Sequence, residues 1–195
     1  GRDKGLNAAL VDRLLLTPKR IDSMAKAVLD VARLADPVGD VVESRKRGGL
    51  SIKRVRIPLG VVGIIYESRP NVTVDAAVLC FKSGNAVILR GGSEAFHSNS
   101  ILATIISEVL KKHKIDPSVV TLIPFTAREA MVELLQMADD INVIIPRGGE
   151  GLMNFIKEHS KIPVIKHDKG VCSIFVDESA DVKKSLAVIH NAKVQ

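Results

Sequence analysis

From residue 61 onward, short apolar runs alternate with longer stretches whose apolar residues recur at helical spacing. Residues 61–66 carry Val61, Val62, Ile64 and Ile65 in a β-branched run, the pattern of a strand buried on both faces. A helix is predicted over 72–82, a strand over 86–90 and a second helix over 99–112. In that second helix Ile101, Leu102, Ile105, Ile106, Val109 and Leu110 form one stripe. Further strands are predicted at 119–125, 141–145, 162–165 and 173–176, with helices at 127–137, 152–159 and 181–192. Asp181 is placed to cap the last of these. Strict alternation of strand and helix requires crossover connections, and so a mostly parallel sheet covered on both faces. The predicted class is α/β with a Rossmann-type, doubly wound parallel sheet.

The first sixty residues follow another pattern. Two helices are predicted, 11–16 and 21–34, separated by Thr17 and Pro18, with Thr17 or Asp22 available as cap. The second must stop before Asp36 and Pro37, because a residue preceding proline avoids the α region. Ile52, Val55 and Ile57 mark an extended segment, and Gly48-Gly49 suits the turn of a hairpin. The expected organisation is therefore N-terminal helices over 1–44, a β-hairpin arm over 45–58, and an α/β domain over 59–195.

Composition narrows the function classes. Across 195 residues, 46% are hydrophobic and 26% charged, values of an ordinary globular protein. No apolar run reaches the roughly 18 residues needed to span a bilayer, so no membrane partner is expected. The start, Gly1 to Gly5, lacks the apolar core of a signal peptide. Cys80 and Cys172 lie far apart in apolar stretches, which predicts two buried free thiols and a reducing, cytoplasmic compartment. Neither the cysteines nor the five histidines have ligand spacing, so no metal is expected. Net charge is +6, much of it between Arg45 and Arg56. A nucleic-acid patch is one reading, but with no Trp and one Tyr there is little for bases to stack on. A solvated hairpin is the better reading, and no nucleic-acid partner is expected.

Open parallel sheets bind ligands at the carboxyl ends of their strands, and three such ends carry polar residues. The first holds Tyr66, Glu67, Ser68, Arg69, Pro70 and Asn71. There Arg69 could bind an anion, and Asn71 either caps the helix or donates to an oxyanion. The second holds Arg90, Gly91, Gly92, Ser93 and Glu94. It is either a ribose site, with Arg90 receiving a 2′-phosphate, or a plain turn with Ser93 as cap. The third holds Pro146, Arg147, Gly148 and Gly149, where glycines and a helix start suit a phosphate. None of these patterns is specific alone.

Taken in order, residues 55–75, 82–92 and 144–149 resemble the signature segments of the γ-glutamyl phosphate reductase family, a branch of the aldehyde dehydrogenase superfamily. Asn191, Ala192 and Lys193 match as well, and the resemblance covers nearly the whole chain. It implies an aldehyde-dehydrogenase-like fold and an NADPH-dependent reduction of L-glutamate 5-phosphate to the semialdehyde, with phosphate release, in proline biosynthesis. It also implies a homo-oligomer, with the hairpin as its arm. By motif, Tyr66, Glu67, Ser68, Arg90, Gly91, Gly92, Ser93, Glu94, Pro146, Arg147, Gly148 and Gly149 would contact NADP. Asn71 would be the oxyanion donor, with Glu67 as a competing alignment.

Two departures accompany the resemblance. The segment 166–170 lacks the glutamate that activates water in the superfamily, and His167 or its neighbours stand there instead. The family's nucleophilic cysteine, which forms a thioester, follows the Asn-Ala-Lys segment and is expected beyond Gln195. Both termini read as cut, and the alternative function is a cofactor-binding or interaction fragment without catalysis.

Overall fold

The computed structural model describes residues 5, 6, 8–166 and 172–194. Two helices open the chain, α1 (Ala8–Leu14) and α2 (Pro18–Arg33). Thr17, not Asp22, caps α2: its hydroxyl accepts from the Arg20 N–H at 3.2 Å, and Pro18 occupies the first turn, where its missing N–H costs nothing. Next comes a two-stranded antiparallel hairpin, β1 (Val41–Arg47) and β2 (Leu50–Val55). Gly48 and Gly49 turn it with φ of 55° and 82°, the pair of left-handed residues that a tight hairpin of this hand requires. The hairpin thus begins at 41, not 45, and takes four residues from the expected helical segment. Every residue of both strands is exposed.

The rest is a parallel sheet of β3 (Val61–Tyr66), β4 (Ala86–Arg90), β5 (Val120–Leu122) and β6 (Val143–Arg147), in the order β5-β4-β3-β6. The crossovers are α3 (Asn71–Lys82), α4 (Phe96–Lys112) and α5 (Arg128–Gln136), followed by α6 (Glu150–His159) and, at the end, α7 (Val182–Val194). Successive strand residues face opposite ways, and β3 divides its side chains accordingly. Val62, Ile64 and Tyr66 join Ala76, Ala77, Cys80 and Leu110 in a core under α3 and α4. Ile65 joins Met131, Leu135, Phe155 and Ile156 in a second core under α5 and α6. Each fully buried isoleucine or leucine contributes about 1.5–3 kcal/mol. Among the described residues no helix is long and apolar enough to cross a membrane.

Several expectations are corrected. Strand β5 stops at Leu122, although Ile123 still donates to Leu89 O, because Pro124 has no N–H to continue the ladder. Residues 162–165 form a single parallel bridge, Ile144 to Val164, for the same reason at Pro163. Residues 173–176 are not a strand; they lie exposed, with Phe175 at 87%. Cys172 is accordingly exposed rather than buried, while Cys80 is buried as expected. The apolar stripe of α4 divides into two adjacent rows. Ile106 and Leu110 pack on the sheet, whereas Ile101, Ile105 and Val109 face outward, since a helix on a flat sheet buries only the nearer row. Asp181 does cap α7, accepting from Lys184 N–H at 2.8 Å.

Candidate functional site

After β5 the chain returns to the other side of β3 to form β6, so the strand order reverses between β3 and β6. A crevice opens at the carboxyl ends of strands at such a switch point. A cleft of about 430 Å³ lies there, and it brings the first and third predicted strand ends together: Tyr66, Glu67 and Ser68 on one wall, Arg147, Gly148 and Gly149 on the other. The backbone joins them, with Glu67 N–H donating to Arg147 O at 3.2 Å. Pro146 pairs with Ile65 inside the sheet and is buried, so it supports the cleft without lining it.

The start of α6 already holds an anion. Glu67 reaches across, and its Oε2 accepts the Gly149 N–H at 3.0 Å. That N–H is one of the helix's unsatisfied donors, and a carboxylate there also gains from the helix dipole. A Cβ at Gly148 would lie 2.7 Å from the Glu67 carboxyl carbon and 2.7 Å from the end of Leu152, so both side chains would have to shift to make room.

The second strand end joins the first through Ser68. Buried Ser68 donates to Glu94 Oε1 at 2.5 Å, and Ser93 donates to Glu94 Oε2 at 3.4 Å. Glu94 is folded over Gly92, where any side chain would collide with its carboxylate. Ser93 caps nothing: it opens a short 3₁₀ turn, Ser93–Ala95, without a side-chain bond to the backbone. Arg90 ends β4 half-buried, with Nη2 donating to Thr126 O at 2.8 Å and a buried Nε without a partner. Desolvation lowers the Arg90 pKa, opposed by the neighbouring Glu94 carboxylate.

Two predicted residues have other work. Tyr66 borders the cleft, but its hydroxyl turns into the core and bonds Thr73 Oγ1 at 2.7 Å; burial raises its pKa against that hydrogen bond. Thr73 in turn donates to Asn99 Oδ1 at 3.1 Å, and Gly91 is pressed against both Tyr66 and Asn99. Asn71 neither caps α3 nor enters the cleft. It is the first residue of the helix, and its amide donates to Asp75 Oδ2 at 3.0 Å, one turn on. The expected glutamate replacement, His167 and the neighbours 168–170, lies outside the described residues.

Sequence reasoning missed Arg13. It comes from α1 and lines the cleft beside Arg69. Nothing in a short helix well before the nearest motif marks it; only the place of α1 in the fold brings it to the cleft.

With that geometry in view, comparison decides the family. Residues 16–195 match the aldehyde dehydrogenase family. The chain belongs to the aldehyde dehydrogenase family. It is 57% identical over its whole length to the γ-glutamyl phosphate reductase of Citrifermentans bemidjiense, of which it covers 47%. Its structure superposes on that of the Thermotoga maritima γ-glutamyl phosphate reductase with a TM-score of 0.92 at 49% identity, covering 100% of this chain and 47% of that one. For the Saccharomyces cerevisiae enzyme the TM-score is 0.78 at 35% identity, covering 98% of this chain and 49% of that one. The chain thus spans about half the length of these relatives.

Membership of the aldehyde dehydrogenase family implies a nicotinamide cofactor, and the cleft suits one. Arg147 lines it beside the glycines at the start of α6, and Arg90, at the end of neighbouring β4, carries a buried Nε without a partner. A dinucleotide carries phosphates of the matching charge.

Proposed function

We propose that this chain is the cofactor-binding part of a γ-glutamyl phosphate reductase, which reduces L-glutamate 5-phosphate to the 5-semialdehyde with NADPH and releases phosphate in proline biosynthesis. The observation that carries the reading is the arginine-lined cleft at the β3–β6 switch point, within a chain 57% identical to such an enzyme. The cofactor, when bound, supplies hydride. This chain's own residues orient it: Arg147 faces its phosphates, Gly148 and Gly149 present backbone at the start of α6, and Arg90 takes the 2′-phosphate. The nucleophilic cysteine belongs to the part of the relatives that this chain does not span. The hairpin serves as an oligomerisation arm, a role supported by exposed Val41, Val42, Leu50, Ile52 and Val55 on strands whose outer edges pair with no described strand. Two free cysteines accord with a reducing cytoplasm.

The test supplies glutamate semialdehyde, phosphate and NADP to this chain and to a version extended past Gln195, following absorbance of the reduced cofactor. Activity in the extended form alone is expected. Turnover by the short chain would make Cys80 or Cys172 the nucleophile and overturn the assignment. For cofactor choice, Arg90→Ala in the extended form should weaken NADPH far more than NADH; equal losses would remove Arg90 from the 2′-phosphate.

A further inference from the structure

A second cavity, about 440 Å³, lies between α1, α2 and the first turn of α3. Its size falls within the ordinary range of small-ligand sites. It shares two residues with the cofactor-side cleft, Arg13 and Arg69, which stand where the two spaces meet. The other charges in it are already engaged. Arg20 pairs with Asp12, Nη2 lying 3.1 and 3.0 Å from the two carboxylate oxygens, and donates to the Leu15 carbonyl at 3.0 Å. Asp75 accepts from Asn71 at 3.0 Å. The side chains of Arg13 and Arg69 have no hydrogen bond or ion pair among the described residues. The junction is therefore a pair of uncommitted guanidinium groups, one from α1 and one from the β3–α3 connection.

We propose that this second cavity binds the acidic substrate, with Arg13 and Arg69 holding its phosphoryl group at the mouth of the cofactor cleft. Arginine suits the task because its planar fork meets two oxygens of a phosphate at once. Asp75, a carboxylate of the same lining, would accept from the ammonium that an amino acid carries. Because the two arginines line both spaces, the acyl carbon bonded to the phosphate would lie next to the space the cofactor takes. The inference rests on the proposed reductase reading for the identity of the ligand, but not for the existence of the anion site.

Inorganic phosphate is the probe. It would be titrated into this chain by calorimetry, and NADPH separately by fluorescence. The variants are Arg13→Gln, Arg69→Gln, Arg147→Gln on the opposite wall of the cofactor cleft, and Arg45→Gln on the hairpin as a charge control. Circular dichroism checks that each is folded. Losing one charge-assisted contact should weaken phosphate roughly ten- to a hundredfold in the Arg13 and Arg69 variants. The Arg45 variant should bind phosphate as the parent does, and NADPH should suffer only from the Arg147 change. Phosphate binding that is absent from the parent, or equal in all variants, overturns the proposal. So does a parallel loss of phosphate and NADPH in Arg13→Gln and Arg69→Gln, which would give the pair to the cofactor. If NADPH binds nowhere while phosphate still depends on Arg13 and Arg69, the anion site stands and the reductase reading falls.

Discussion

Removing one hydroxyl should disturb the wall of the cleft more than any exposed substitution. Thr73 is wholly buried, accepts from the Tyr66 hydroxyl at 2.7 Å and donates to Asn99 Oδ1 at 3.1 Å. Thr73→Val keeps the shape but strands the Tyr66 O–H and the Asn99 oxygen, both in the interior. Each stranded group costs about 1–3 kcal/mol, so the variant should lose about 2–5 kcal/mol. For a chain of this length that corresponds to a Tm lower by roughly 5–15 °C. Tyr66→Phe strands less, because Thr73 keeps Asn99 as its partner, and should cost about 1 kcal/mol. In the double variant no tyrosine hydroxyl is left to strand, so its loss should fall short of the sum by about 1–3 kcal/mol. Urea titrations followed by circular dichroism measure all three. A Thr73→Val protein within about 0.5 kcal/mol of the parent, or strict additivity in the double variant, would refute the network as an energetic unit.

The other predictions concern single sites. Gly60→Ala should lose at least about 2 kcal/mol, read by the same titration, because Gly60 sits at φ 112° and a Cβ would strike the Asn142 side chain. At pH 8 iodoacetamide should label Cys172 and spare Cys80, whose thiol burial pushes up to about 11, as peptide mass mapping would detect. Because the folded chain holds the Cys80 proton more tightly than the unfolded chain, stability should be intact below about pH 9 and fall as pH rises toward about 11; Cys80→Ala should flatten that decline. Glu67→Gln removes the carboxylate from the start of α6, so stability should drop by about 0.5 kcal/mol while NADPH binds more tightly. Weaker NADPH binding would mean that Glu67 serves the ligand rather than competing with its phosphates.

How much could be read from the chain differs with the physics involved. Strands β3 and β4 were predicted to the residue, because a buried parallel strand must be continuously apolar and glycine and polar residues bound it sharply. Residues 162–165 and 173–176 are equally apolar but form no ladder, since apolar character tells that a segment seeks burial and not whether a neighbour exists to hydrogen-bond it. The same limit governs Cys172. At the site, the three strand ends were visible as polar clusters after apolar runs. Their interlocking was not. Ser68 reaching Glu94, and Glu67 reaching Gly149, are contacts across 26 and 82 residues, which no local pattern encodes. The cap reading of Asn71 failed because a polar residue near a helix start suggests a cap, whereas an Asp75 one turn later offered its amide a partner.

The two asparagines at the foot of β3 give the sheet a direction of compliance. Asn85 Oδ1 accepts the Gly60 N–H at 3.0 Å from the β4 side, and Asn142 Oδ1 accepts the Val61 N–H at 2.7 Å from the β6 side. The central strand is therefore riveted by side chains to both neighbours where it begins. At the far end the Glu67 N–H to Arg147 O bond is the last backbone link to β6, and beyond it Glu67 and Ser68 reach across with side chains. The three strands resemble the ribs of a fan gathered at the handle. They can spread at the tips to admit a large ligand and close again without losing register, and hydrogen exchange should find the amides of Gly60 and Val61 slower than that of Gly149.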